Sequence, residues 1–383
     1  MKHTYAYIGN WGMPKLDIPA GITVAAYEHG DFRIIDRQFP EINFGQACFD
    51  EKRNVLYCVN ERHEVAGQNL GGQVYALKIN SETGLLSLLS KSPSYGPLPS
   101  DCAVDSESRY LIVSNHSSRN CITKTVRDAD GTYRIVHEYD ETAIVLFPLD
   151  EDGAIGEPCH IVRHVGSGAL PNQQSPHAHC VRKTPGMDLF IVCDKGNDSV
   201  YSYRIDKEKN ELVCCDRIGG APGSSPRYCV FHPDLPIFYY NNETKSMITM
   251  VRYDTDGRLS PVCEVSCMAN GDVQARGLQS DIQISHDGRF LYDLVRDNST
   301  IAVYSLDEKS GDPTLKQVVP CGSTQGGRGL ALSLDGKYLF LAACPDAQVY
   351  AFAIDADGCL SACGVCVEDK APGVVIFATP KER

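Results

Sequence analysis

The sequence predicts an all-β protein: a seven-bladed β-propeller with four antiparallel strands per blade, formed by residues 1–383 as a single domain. Three observations predict it. A strand with a preceding polar turn recurs at intervals near fifty residues, a second strand follows in every unit, and the two chain ends carry complementary parts of one further unit.

The recurring first element reads "FDEKRNVLYCVNE", "VDSESRYLIVSNH", "KTPGMDLFIVCDK", "FHPDLPIFYYNNE", "ISHDGRFLYDLVR" and "LSLDGKYLFLAAC". With Glu51, Ser106, Pro185, Pro233, His286 and Leu334 as equivalent turn positions, the intervals are 55, 79, 48, 53 and 48 residues. Such periods belong to propeller blades.

The second element reads "GGQVYALKINSETGLL", "TAIVLFPLDEDGAI", "DSVYSYRIDKEKNELV", "SMITMVRYDTDGRLS", "STIAVYSLDEKSGDPTL" and "AQVYAFAIDADGCL". Alternation followed by an Asp, Gly or Asn-rich turn gives strand, hairpin, strand, and a fourth short strand leads onward. At the ends, "TYAYIGNWG" with "GITVAAYEHGDFRII" supplies a blade's second, third and fourth strands, and "APGVVIFATP" supplies a first. Joining them closes the ring and removes its open edges. The 79-residue interval carries about 25 to 30 extra residues, which loops at a blade's rim or mouth absorb. They lie around "SSRNCITKTVRDADGTYRIVHEYDE" and in "RHVGSGALPNQQ", where His164 and Gln174 make a wall or lid of the loop.

The chain is 43% hydrophobic and has a net charge of −13, with acidic and basic residues interspersed. That balance excludes nucleic acid or an anionic membrane as a partner reached through a basic surface. An anionic small molecule then needs a local basic pocket. No window approaches eighteen uninterrupted apolar residues, and "MKHTYAYIGNWG" has no charged start followed by an apolar run. The seventeen cysteines are odd in number, so the expectation is a cytoplasmic protein with reduced thiols. Cys359, Cys363 and Cys366 have a spacing that some iron–sulfur enzymes use, but they fall in the last strand of a repeat, and neither they nor Cys214 and Cys215 read as ligands. No cofactor is expected. No metal is expected either, because no compact set of carboxylates and histidine has ligand spacing.

Two registers define a candidate site. Six residues before each turn position, where the inner strand begins, stand Gly45, Ser100, His179, Arg227, Ser280 and Arg328; ten residues after it, just past the second strand, stand Glu61, His116, Lys195, Glu243, Arg296 and Cys344. In an antiparallel pair both registers lie at one end of the blade. Seven blades bring them to one mouth. Taken singly, Lys195 or His116 is an ordinary polar strand end, but His179, Arg227, Arg328, Glu243 and Arg296 share one concave pocket. Arginines bind carboxylate or phosphate and hold charge on an oxyanion, and histidine with a carboxylate handles protons near neutral pH. In "QSPHAHC" the alternation of a strand also places His177 on the face of His179.

"QQSPHAH" at 173–179, "SPRYCVFHPD" at 225–234 leading to "YNNE" at 240–243, "SDIQISHDGRFLY" at 280–292 leading to Arg296, and "GGRGLALSLDGKYLFLAA" at 326–343 follow in order. Over essentially its whole length the chain resembles the lactonase family of seven-bladed β-propellers. That family includes bacterial 6-phosphogluconolactonase and the related carboxy-muconate cyclase. The resemblance implies carbohydrate metabolism and a site formed by His179, Arg227, Glu243 and Arg296 as catalytic residues. It adds His177, Gln174, Arg328, Glu61, Asn115, Asp281 and Lys195 as substrate-binding residues; "NERHE" at 60–64 resembles the family's Asn–Glu pair. The turns "HPDLP", "EKRN" and "SESR", and the end "LYDLVRD", depart from the family pattern without removing any of these residues.

The expected activity is hydrolysis of a sugar-derived lactone, with Glu243 or His179 activating water and arginines stabilising the oxyanion. No "GxSxG" serine elbow suggests an acyl-enzyme. The expected ligand is a small anionic sugar lactone or related carboxylate. Lactone formation of the carboxy-muconate type and a non-catalytic binding platform remain alternatives, and fold alone does not choose among them. The sequence carries no signal for oligomeric state.

Overall fold

The computed structural model describes residues 3–12, 18–62, 71–117, 120–140, 142–274 and 277–382. Seven four-stranded antiparallel sheets make the seven blades of a propeller, and a two-stranded ribbon stands apart from them. The inner strands pack one against the next around a closed circle, the last meeting the strand that closes the ring.

That closing blade has Pro372–Ala378 as its inner strand, paired with Thr4–Asn10, then Gly21–Glu28 and Asp31–Gln38. Asn10 clasps the two chain ends: its Nδ2 donates to Asp369 Oδ2 at 3.1 Å and its Oδ1 accepts from the Ala371 amide at 2.7 Å. In chain order the inner strands of the second to seventh blades are Phe44–Asp50, Pro99–Val104, Ala178–Lys183, Pro226–Phe231, Gln279–Ile284 and Gly329–Leu332. Their second strands are Val55–Asn60, Tyr110–Asn115, Leu189–Asp194, Ile237–Asn242, Phe290–Val295 and Tyr338–Ala343.

Second strands such as "LFIVCD" are continuous apolar runs because neighbouring blades cover both their faces. Leu189–Asp194 is buried throughout, whereas the outer strand Asp31–Gln38 has no fully buried residue. The core accordingly runs between blades: Phe190 and Val192 of the fourth pack with Tyr110 and Ile112 of the third.

The recurring turn has a chemical hub. Ser285 Oγ accepts from the Phe290 amide at 2.9 Å and Ser333 Oγ accepts from the Tyr338 amide at 2.9 Å. In both, glycine takes the left-handed position, Gly288 at φ 69° and Gly336 at φ 70°.

Part of the long interval forms the ribbon Cys121–Arg127 paired with Tyr133–Tyr139, which springs from the mouth end of the third blade. The rest shortens that blade's outer strand to His160–Val162 and forms the loop that leads to His177. Cys359 precedes, and Cys363 and Cys366 lie on, the outer strand Leu360–Glu368 of the seventh blade. Among the described residues no helix is long and apolar enough to cross a membrane.

Candidate functional site

Every inner strand but Gly329–Leu332 of the seventh blade begins with a bulge. Ala178 faces Asp194 and Cys180 faces Cys193, so His179 has no opposite residue; likewise Pro226 faces Asn242 and Cys229 faces Tyr240. The extra residue twists the strand and re-aims its side chain, here placing His179 and Arg227 at the mouth. In six of the seven blades the residue after the second strand is clamped to the chain that enters the same blade. The amides of Glu61, His116, Lys195, Glu243 and Arg296 donate to the carbonyls of Asn43, Leu98, His177, Ser225 and Leu278 at 2.8 to 3.3 Å. The Trp11 amide donates to the Ala371 carbonyl at 2.8 Å in the same way, so one backbone bond, repeated in six blades, sets both registers at the same end.

Glu243 is the hub of the site. Its Oε1 accepts from Arg296 Nη2 at 3.0 Å, its Oε2 is in close contact with Lys195 Nζ, and Arg227 Nε lies 3.9 Å from Oε2. Burial pushes the carboxyl up, but Lys195, Arg227 and Arg296 together outweigh it and hold Glu243 well below the usual carboxylate range. Arg296 is pulled down to about 10 by burial and by the nearby Arg227 charge. Arg227 also donates through Nη1 to the Ser280 carbonyl and stacks over Tyr228, 4.9 Å from the ring centre.

Three histidines cluster beside this group. His116 stacks on His177 with centroids 4.9 Å apart and meets His179 edge-on at 5.4 Å. His177 Nδ1 is 2.9 Å from the His116 carbonyl. Tyr228 packs edge-on against His179 at 4.8 Å. Burial, then Arg227, Lys195, His116 and Arg328, hold His179 well below 6.5, so its imidazole is neutral at pH 7. Among the described residues, its Nδ1 has no hydrogen-bond partner. His116 is lowered in the same direction, by burial and by Lys195 and His177.

A second group completes the mouth. Arg328 is paired with Glu61 through Nη2 and stacks over the ring of Trp11 at 4.2 Å. The Ser280 hydroxyl, bonded to the Arg328 carbonyl at 2.5 Å, links this group to Arg227.

The remaining expected residues sit differently. Asn115 is fully buried, its Nδ2 donating to the Ser94 and Ala143 carbonyls at 2.9 and 3.1 Å. Asp281 lies one residue deeper than the mouth register. Its oxygens accept from the amides of Ile282 and Leu330, both at 2.8 Å, which braces the sixth blade to the seventh. Gln174 is exposed and lines a separate cleft of about 320 Å³ with Arg163 and His164. The buried glutamine is its neighbour Gln173, which donates to the Lys195 carbonyl at 2.7 Å and to Asp198 Oδ1 at 2.6 Å. His63 and Glu64 of "NERHE" lie outside the described residues.

Sequence reasoning missed Trp11, His116, Tyr228 and Gln173 as site residues. His116 was in the counted register. Trp11 is the only tryptophan and follows the strand Thr4–Asn10 directly, which puts it at the same position as Glu61 in its own blade.

Lys195, Arg227, Arg296 and Arg328 against Glu243 and Glu61 leave the mouth two positive charges in surplus in a chain of net charge −13. Both carboxylates are already engaged by cations. The mouth can receive an anion beside a neutral imidazole. Next to Glu243 a cleft of about 510 Å³, lined by Leu170, Pro222, Thr244, Lys245 and Leu278 among others, gives room for a ligand's remainder.

The sequence profile of the family "Lactonase, 7-bladed beta-propeller" matches residues 47–377. Among relatives, the 6-phosphogluconolactonase of Bacillus subtilis (strain 168) is 27% identical over 278 residues, covering 72% of this chain and 70% of that one. The 6-phosphogluconolactonase of Formosa agariphila is 25% identical over 277 residues, 71% of each chain. The periplasmic gluconolactonase of Pseudomonas aeruginosa has the same fold, with a TM-score of 0.83, 22% identity and coverage of 99% of this chain and 100% of that one. With the profile matched over most of its length, the chain belongs to the family of seven-bladed β-propeller lactonases.

Proposed function

We propose that this ring, residues 1–383 acting as one domain, hydrolyses the lactone of an acidic or phosphorylated sugar, 6-phosphogluconolactone being the first candidate. The observation that carries the reading is the neutral, buried His179 with an unpartnered Nδ1 inside a cluster of cations. The names of the Bacillus and Formosa relatives support the substrate class.

An incoming phosphate or carboxylate competes with Glu243 for Arg227, Arg296 and Lys195. Arginine forks match such groups geometrically. His179 Nδ1 takes a proton from water as its oxygen attacks the lactone carbonyl carbon. An arginine holds the charge that develops on the carbonyl oxygen, an interaction worth on the order of 10² to 10³ in rate for one well-placed donor. The ring C–O bond then breaks, the imidazolium returns its proton to the departing oxygen, and the hydroxy acid leaves. Glu243 is the poorer base because three cations stabilise its ionised form. Its role is to keep those cations close together before substrate arrives.

The test is the pH-stat rate of 6-phosphogluconolactone and gluconolactone opening above the spontaneous rate, for wild type, His179→Gln and Glu243→Gln. The reading expects wild-type catalysis and its near-complete loss in His179→Gln. No wild-type rate above background on either lactone sinks it.

A further inference from the structure

We propose that Cys180, Cys193 and Cys229 form a binding site for one soft, thiophilic divalent cation of the zinc or cadmium class, immediately behind the mouth. Their three Sγ atoms lie within 4.8 Å of one another, and the residues are 0%, 0% and 2% exposed. Three sulfurs around one ion at a metal–sulfur bond of about 2.3 Å stand about 4 Å apart, so side-chain adjustment alone closes this triangle around an ion.

The topology builds the triangle from two blades. Cys180 and Cys193 face each other across the first two strands of the fourth blade, and Cys229 comes from the inner strand of the fifth. A buried cysteine is ordinarily a small apolar filler. Filling does not require three thiols turned toward one point, and thiolate is the ligand type that selects soft ions over magnesium or calcium. The surroundings exclude water: Leu189, Ile191, Tyr228, Tyr240 and Ile248 belong to the same apolar cluster.

Charge also favours the divalent class. Three thiolates on such an ion carry one net negative charge, and the Arg182 guanidinium, two residues along the strand from Cys180, is close enough to interact with that thiol. Arg182 is itself anchored to Asp101 Oδ2 at 3.0 Å. Loading expels thiol protons as the metal binds, and it is slow because the site is closed to solvent.

The site differs from the proposed catalytic one but is fastened to it. Cys180 follows His179, Cys229 is two residues after Arg227, and Cys193 precedes Asp194. An ion there joins the inner strands that carry His179 and Arg227.

The test is prolonged incubation of the full chain with cadmium, removal of loosely held ion by a chelator, then metal counting, ultraviolet sulfur-to-metal charge transfer and cadmium X-ray absorption. The expected result is one retained ion per chain with a shell of three sulfurs. It should be lost in Cys193→Ala and in Cys229→Ala and kept in Cys214→Ala and Cys363→Ala, whose thiols are exposed. No retained ion in wild type, a shell dominated by oxygen or nitrogen, or equal retention in a folded Cys193→Ala overturns the site. The wild-type shell decides the matter even if the variants fail to fold. Retention is read without any lactone, so the outcome is independent of the hydrolase reading.

Discussion

The Asp194 carboxylate accepts the His177 backbone amide through Oδ1 at 2.7 Å, while its Oδ2 meets His164 Nδ1 at 2.6 Å. Oδ1 also accepts from the amides of Gly196 and Asn197 at 2.9 and 3.3 Å, so one side chain fixes the turn that carries Lys195. His164 is held from its other side by the Tyr203 hydroxyl at 2.9 Å and stacks on Tyr201 at 3.8 Å. A carboxylate only accepts, so His164 Nδ1 donates to Asp194.

His164→Ala leaves Asp194 Oδ2 buried without that partner, which costs about 2 kcal/mol. The expected outcome is a lower urea midpoint together with a fall in kcat/KM of about tenfold, because Lys195 and His177 lose their fixed placement. Unfolding curves and initial rates of folded protein check both. A stability loss with unchanged kcat/KM would make His164 purely structural.

Glu243→Gln removes the charge that gathers Lys195, Arg227 and Arg296. Breaking a buried ion cluster from one side is expected to cost about 3 kcal/mol and to lower kcat/KM about a hundredfold. The sign with pH follows from the lowered carboxyl. Its contribution is fully present above the ordinary glutamate value of 4.5 and is lost as the pH falls toward the native value, so the gap between wild type and variant narrows in acid. Paired urea titrations across that range measure it.

How far the sequence displays these relationships depends on their range. Turn positions such as His286 and Leu334 repeat because each is bound by local turn geometry, and the ten-residue count works because the second strands of the second to seventh blades are all six residues long. The same counting finds Lys195 and Glu243, whose placement is set by a backbone bond within one blade. It fails one residue away from a loop: Gln174 and Gln173 are equivalent on paper, and only tertiary packing buries the second. The resemblance, not the count, selects Asp281, whose partner Leu330 belongs to the next blade. The thiol triangle is illegible because it too joins two blades, Cys229 being 36 residues beyond Cys193.

With His179 as base, kcat/KM should keep its plateau below pH 6.5, since the free imidazole stays neutral there. Lys195→Met removes one of the cations that lower it, so the acid limb should move up toward 6.5. Rates above the spontaneous background from pH 4 to 8 give the limb; no movement, or movement downward, removes His179 as the titrating base. Stability is a poorer readout of the same change. Asp101 and Asp293 are pushed up to about 7 by burial, so they favour the folded state as pH falls, against the two histidines.

Arg227 faces the Glu243 carboxylate with Nε at 3.9 Å, donates through Nη1 to the Ser280 carbonyl and covers the Tyr228 ring, an arrangement suited to the planar fork of guanidinium. Lysine keeps the charge and loses the fork. If Arg227 holds the substrate's phosphate, Arg227→Lys should lose about tenfold or more in kcat/KM on 6-phosphogluconolactone while gluconolactone, which lacks that group, changes little. If instead the guanidinium holds the developing oxyanion, both lactones suffer equally and through kcat. Measuring the two substrates side by side therefore assigns Arg227 to one end of the molecule. An unchanged rate on both would leave Arg296 and Lys195 as the anion-binding groups and Arg227 as the support of Glu243 and Tyr228.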